Sequence, residues 1–232
     1  MQNSLEKLSK KINVPFNDIT LLRTAITHRS YLNENKGTDM EHNERLEFLG
    51  DAVLELAVTG FLFLKYPHKA EGELTAYRSA IVNTVSLTKV AEHIGLNEFM
   101  LLSKGEAKDT GRARSVILAN AVESLIGAIY MDQGYHAAAQ FISDQVLNFI
   151  DIDEIVKKKL WIDAKSRFQE MSQEKMGVTP TYKTLKEVGP DHDKKFTLGV
   201  FLKDVQVASG AGMSKQEAEQ QAAEKALEVK GW

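Results

Sequence analysis

The 232-residue chain has no cysteine, four prolines and two tryptophans. Without thiols there are no disulfides and no thiolate metal sites, so a metal would have to be held by oxygen or histidine ligands. Long apolar runs are also missing. The longest candidate, residues 48–64, is interrupted by Asp51, Glu55 and Thr59 and falls short of the roughly 18–20 apolar residues of a membrane span. Residues 1–11 are polar and charged, without the apolar core of a secretory signal. The expectation is a cytoplasmic protein with no membrane partner. Nor is there an excess of positive charge. The formal net charge is −3, with 15 Lys+Arg against 18 Asp+Glu in residues 1–150 and 14 of each thereafter. The basic balance typical of nucleic-acid binders is absent, so any such function has to be argued from local pattern. What remains is an ordinary globular composition, 43% hydrophobic and 26% charged, at a length that suits one large domain or two modest ones.

The first 150 residues carry apolar positions at helical spacing. They predict helices over 19–26, 46–64, 81–94, 117–130 and 137–150. Tyr66-Pro67, Gly72, Gly95 and the polar loop 104–114 read as breaks. After Ile150 the texture changes. Residues 151–159 form a charged stretch that suits a linker or a short helix, and residues 163–175 are helical with Asp163 as N-cap. Residues 181–188, 196–203 and 205–209 predict three short strands, with Phe196, Leu198, Val200 and Leu202 on one face. Ser214-Lys215-Gln216-Glu217 is a capping box opening a helix whose buried stripe is Ala218, Ala222, Ala223, Ala226 and Leu227. The expected architecture is an all-α domain over 1–150, a linker over 151–161 and an α-β-β-β-α domain over 162–232.

The chemistry concentrates in Asn43-Glu44-Arg45-Leu46-Glu47-Phe48-Leu49-Gly50-Asp51. At about 100° per residue, Glu44, Glu47, Asp51 and Glu55 share one sector of a helix. Such a face is ordinarily solvated. Here the acids are not interleaved with Lys or Arg at i, i+4, and the helix is so apolar that most of its circumference is expected to be buried. Clustered carboxylates at a buried surface repel one another and lose solvation, and a divalent cation removes both costs. Hard oxygen ligands point to Mg2+, with Mn2+ as substitute. Asn120 and Glu123 are i, i+3 neighbours on a second apolar helix, followed by Gly127, which permits close helix packing. Glu71, in Glu71-Gly72-Glu73-Leu74, is a weaker candidate.

Together these segments resemble the ribonuclease III family, with supporting matches at Thr27-His28-Arg29-Ser30-Tyr31, Arg78, Lys104-Gly105-Glu106 and residues 117–134. The resemblance implies a homodimer whose two helical domains form a valley for double-stranded RNA. Each half would cut one strand to leave a 5′-phosphate and a short 3′ overhang. Glu47, Asp51 and Glu123 match metal-ligating carboxylates, with Asn120 as a fourth ligand position, and Glu44 and Glu71 match accessory catalytic acids. The implied chemistry is two-metal hydrolysis, in which one ion activates water and the other stabilises the leaving 3′ oxygen, with no small-molecule cofactor and no side-chain nucleophile. The family pattern has Asp where this chain has Asn120, which implies weaker metal binding. His28 suits helix packing better than RNA contact. Lys104, Lys108, Arg112 and Arg114 match phosphate-contacting positions.

Residues 162–230 resemble the double-stranded-RNA-binding domain. The match rests on Lys165-Ser166-Arg167-Phe168-Gln169-Glu170, Pro180-Thr181-Tyr182, Gly189-Pro190-Asp191-His192, Gly210-Ala211-Gly212 and Ser214-Lys215. Such domains read A-form shape across successive minor grooves. Gln169 and Glu170 would reach 2′-hydroxyls, His192 the next minor groove, and Lys215 with its helix N-terminus the phosphates between them. Gln216 and Glu217 stand where the family has basic residues, which implies lower affinity. The resemblance therefore implies an endonuclease processing ribosomal, messenger and other structured precursor RNA. Two other readings stay open: a duplex-RNA-binding regulator with cleavage weakened through Asn120, and a phosphohydrolase of small esters.

Overall fold

The computed structural model describes residues 2–158, 161–190 and 194–232. It divides into two compact units, Met1–Trp161 and Ile162–Trp232.

The first unit is helical: α1 (Gln2–Lys11), α2 (Ile19–Ala25), α3 (Arg29–Glu34), α4 (Glu44–Lys65), α5 (Glu71–Ile81), α6 (Thr84–His93), α7 (Arg112–Gln133), α8 (Tyr135–Ile142) and α9 (Ile152–Lys157). A π-helical turn, Ser143–Leu147, continues from α8. The centre is α7, in which 11 of 22 residues are buried. By length and composition α7 alone among the described helices could cross a membrane. Its apolar side chains instead pack with Leu54, Val58 and Leu62 of α4 and Leu87 and Val90 of α6.

Several elements differ from the sequence-based expectation. The segment read as one helix over 81–94 is broken at Asn83, whose side chain caps α6 by accepting from the Ser86 N–H at 2.9 Å. Gly72 is not a break but lies in the first turn of α5. There the N–H groups have no intrahelical partner, so glycine costs little regularity. The polar segment 1–11 forms α1, which buries Leu5 and Leu8. The charged stretch 151–159, which suits a linker or a short helix, holds the short helix α9 over residues 152–157, capped by Asp151 through the Glu154 N–H at 2.8 Å, with Ile152 buried in the core. Further along the stretch expected as a linker, Trp161 packs edge-on against Tyr77 at 5.2 Å between ring centroids.

The second unit runs α10 (Ala164–Met176), β1 (Thr181–Val188), β2 (Lys195–Leu202), β3 (Val205–Gly212) and α11 (Lys215–Lys230). Its strands form one antiparallel sheet in the order β1-β2-β3. Asp163 caps α10 by accepting from the Ser166 N–H at 3.0 Å. Val200 and Leu202 of β2 pack with Phe168 of α10 and with Ala222, Ala223, Ala226 and Leu227 of α11. The alanine stripe lets α11 approach β3 closely. A Cβ on Gly210 would stand 2.3 Å from the Ala222 nitrogen and 2.4 Å from the Ala218 carbonyl oxygen. Neither backbone can give way without separating helix and sheet. Gly210→Ala is therefore expected to destabilise this unit by about 1–3 kcal/mol, read as a lowered urea midpoint. An unchanged midpoint would show that the contact is looser than the structure has it.

Candidate active site

The site is built on the crossing of α4 and α7. A Cβ on Gly50 would lie 1.8 Å from the Glu123 carbonyl oxygen, and one on Gly127 would lie 2.2 Å from that of Leu46. The two backbones thus touch through a pair of glycines, closer than any side chain permits. Glu47 and Asp51 flank Gly50 on α4, while Asn120 and Glu123 lie about two turns and one turn before Gly127 on α7. Close crossing brings these four side chains into one electrostatic neighbourhood. Asn120 Nδ2 donates to Glu47 Oε1 at 2.8 Å.

Asn43 anchors the start of α4. It is buried, its N–H donates to the Thr27 carbonyl at 2.9 Å, and its Nδ2 donates to the Ala25 carbonyl at 3.3 Å. Its own carbonyl accepts from Ser124 Oγ of α7 at 3.3 Å and from the Glu47 N–H at 2.9 Å. One residue thereby ties α2, α4 and α7 together beside the acids. Sequence reasoning gave it no role. A buried asparagine before a helix carries only a capping signal, and the Asn43 side chain makes no cap hydrogen bond to α4.

The electrostatics follow from this packing. Partial burial pushes the Glu123 carboxyl up to about 7, with the nearby charges of Asp51 and then Glu47 adding to the effect. Glu47 is raised as well, first by burial, then by Glu44 and Asp51, while the Asn120 amide partly offsets the rise. Glu44 is in the first turn of α4, 3.4 Å from Arg29 Nη1 and 3.8 Å from His42 Nδ1. A cavity of about 270 Å³ opens beside Glu44, Glu47 and Asn120, lined also by His28 and Arg29. His28 is the N-cap of α3. Its Nδ1 accepts from the Ser30 N–H at 3.3 Å, and burial pulls its pKa down, so it serves as a neutral capping group.

Other candidates lie elsewhere. Glu71 is exposed in the first turn of α5, which follows the C-terminal end of α4, itself about 20 Å along the helix from Asp51. The α5 helix meets α4 where Arg78 Nη1 donates to Thr59 Oγ1 at 3.0 Å, seven residues after Glu71. The first unit by itself therefore does not bring Glu71 to the other acids. Lys104 and Lys108 are exposed, and the Lys104 N–H donates to Glu34 Oε2 at 3.0 Å. Arg112 and Arg114 lie in the first turn of α7. Arg114 is turned onto the first unit, with Nε 2.8 Å from Asn97 Oδ1, and burial lowers its pKa. In the second unit Gln169 and Glu170 are exposed on α10, and Lys215 is ion-paired with Glu187 at 3.0 Å. His192 lies outside the described residues. The α4 helix also differs from expectation in its burial: Phe48, Leu56 and Phe63 are 83%, 60% and 67% exposed.

Because Glu123 is raised from 4.5 to about 7, its linkage to folding has a definite sign. Below the unfolded value both states are protonated and nothing is lost. Between the two values only the unfolded state releases its proton, so stability falls as pH rises. In metal-free protein, Glu123→Gln is therefore expected to melt near the parent at pH 4 and progressively above it towards pH 7–8. A constant difference across that range would contradict the assignment.

Comparison with known proteins agrees with this architecture. The Ribonuclease-III-like family matches residues 18–150, and the double-stranded RNA binding motif matches residues 164–230. Ribonuclease 3 of Leptospira interrogans is 46% identical over 220 residues, covering 95% of this chain and 88% of the relative. Ribonuclease 3 of Carboxydothermus hydrogenoformans is 45% identical over 231 residues, covering 98% and 96%. The solved nuclease domain of ribonuclease III from Campylobacter jejuni, which has structural flexibility in a region involved in dimer formation, is 38% identical with a TM-score of 0.57. The match covers 62% of this chain and 96% of that domain. The helical unit with its crossed acidic helices, and the α-β-β-β-α unit after it, place this chain in the ribonuclease III family.

Proposed function

We propose that this chain is a cytoplasmic, Mg2+-dependent endoribonuclease that cuts double-stranded RNA as a homodimer. It hydrolyses phosphodiesters to 5′-phosphate and 3′-hydroxyl ends with short 3′ overhangs, and it processes ribosomal, messenger and other structured precursor RNA. The observation that carries this reading is the glycine-to-glycine crossing that holds Glu47, Asp51 and Glu123 in mutual repulsion. The chain also carries a double-stranded RNA binding motif.

The donors suit a hard cation. All are oxygens, and Glu123 is held near a pKa of about 7 by burial and like charge, a cost that a divalent ion would offset. Among the described residues no three His, Asp or Glu side chains stand close enough to enclose an ion by themselves. That incompleteness fits magnesium, which keeps several waters and binds through one or two carboxylates together with substrate phosphates. Bound there with RNA, two such ions would supply an activated water and stabilise the leaving 3′ oxygen. The chain's own residues prepare the site. Asp51 and Glu123 offer carboxylates from facing helices, Asn120 holds Glu47 in place, and Arg29 holds Glu44 at its edge.

The exposed side of α4 supports the dimer. Phe48, Leu56 and Phe63 form an apolar row, and beside it a cavity of about 590 Å³ is lined by Leu21, Leu46, Leu49 and Met131. Exposed apolar surface of this kind marks a partner site. Two copies of α4 packed antiparallel about a two-fold axis would set the C-terminal end of one helix beside the N-terminal end of the other. That arrangement carries the partner's Glu71 towards Glu44 and Glu47, and gives Glu71 its role.

End-labelled duplex RNA incubated with the protein is expected to be cut only when Mg2+ is present, and Glu123→Gln is expected to abolish the cutting. Binding without cleavage over a wide Mg2+ or Mn2+ range would instead favour a duplex-binding regulator. In the same assay Asn120→Asp, which adds a negative charge beside Glu47, is expected to lower the Mg2+ concentration required. An unchanged magnesium dependence would count against Asn120 as the residue that weakens metal binding.

A further inference from the structure

The end of α11 that would meet phosphate is already engaged with carboxylates of its own unit. Lys215 opens the helix, and its ammonium lies 3.0 Å from Glu187 Oε1 and 5.6 Å from the centre of the Phe196 ring. Glu187 and Phe196 are direct partners in the β1–β2 register, so the lysine folds over two neighbouring side chains at the sheet. At the same helix start the Met213 N–H donates to Glu217 Oε2 at 2.9 Å, while the Glu217 N–H donates to Ser214 Oγ at 3.1 Å. A lysine ammonium and a backbone N–H beside a helix start are the groups that bind phosphate oxygens. Here both face an internal carboxylate, which presents the same charged acceptor chemistry as phosphate.

We propose that Glu187 is an internal competitor for Lys215. Duplex RNA gains its contact with Lys215 only by displacing the Glu187 carboxylate, so Glu187 sets a lower affinity for the second unit. The inference rests on the reading of that unit as a binder of double-stranded RNA. Competition is separable from simple repulsion. Any acid near the RNA opposes the phosphates through the screened field, and that effect persists whether or not Lys215 is present. Competition requires Lys215. An exposed pair of this kind is worth roughly a two- to fivefold change in affinity.

The test is a double-mutant cycle on the full chain, with labelled duplex RNA, no divalent metal and about 0.1 M salt. Affinity is read by fluorescence anisotropy for the parent, Glu187→Gln, Lys215→Ala and the double variant. Glu187→Gln is expected to tighten binding about two- to fivefold in the parent background and by clearly less when Lys215 is absent. Equal tightening in both backgrounds would overturn the proposal in favour of bulk charge. No tightening in a parent that binds duplex would overturn it while leaving the RNA-binding reading intact. A parent that does not bind duplex at all would overturn both.

Discussion

The helical unit depends on the contact between the backbones of α4 and α7 at Gly50 and Gly127. With a Cβ at either position the helices would have to separate, since the nearest carbonyl oxygens would stand 1.8 and 2.2 Å away. The close approach sets the spacing of everything that projects beside it. Glu47 and Asp51 meet Asn120 and Glu123 because each lies within two turns of a glycine at the crossing. Asn43 locks the arrangement at one end by bonding to α2 and α7 from the start of α4.

The cost of this arrangement is electrostatic. Glu47 and Glu123, which a looser crossing would leave solvated, are partly buried and face like charge, including that of the exposed Asp51, and Glu123 shows it most. Asn120 moderates the repulsion, because its amide gives Glu47 a neutral donor where an acid would add a further charge. A site destabilised in this way gains more from a divalent cation than one whose acids are paired with Arg or Lys. Glu44, already tied to Arg29, is placed as an edge residue for the same reason. The second unit holds its charges differently. Its candidate phosphate contacts are satisfied internally, which suits the neutral balance of residues 151–232.

Much of the site was legible in the sequence because helical periodicity maps directly onto faces. The 44, 47, 51 spacing and the 120, 123 pair announce clustered acids on two helices, and Gly127 announces close packing. The second unit was legible for similar reasons. Alternation along β2, the Asp163 cap and the alanine stripe of α11 each encode one local choice, and together they agree. Periodicity cannot say what covers a face. The apolar row of α4 therefore read as core, although Phe48 and Phe63 are exposed in the single chain. Nor does it report side-chain partners far apart in sequence, so the turn of Arg114 onto Asn97, the Glu187–Lys215 pair and the bonding of Asn43 were invisible. Glu71 was grouped with the other acids by resemblance, but the length of α4 and the turn after it carry it away from them within one chain.

In the function proposed, the crossing of α4 and α7 gives a divalent cation carboxylates from Glu47, Asp51 and Glu123. Crystals of the full chain soaked with Mn2+, and measured for the anomalous signal of the metal, test it most directly. An anomalous peak is expected within coordination distance of carboxylate oxygens from both helices, lost in crystals of Glu123→Gln. Manganese bound only elsewhere, or a peak at the crossing that survives removal of the Glu123 carboxylate, would contradict it.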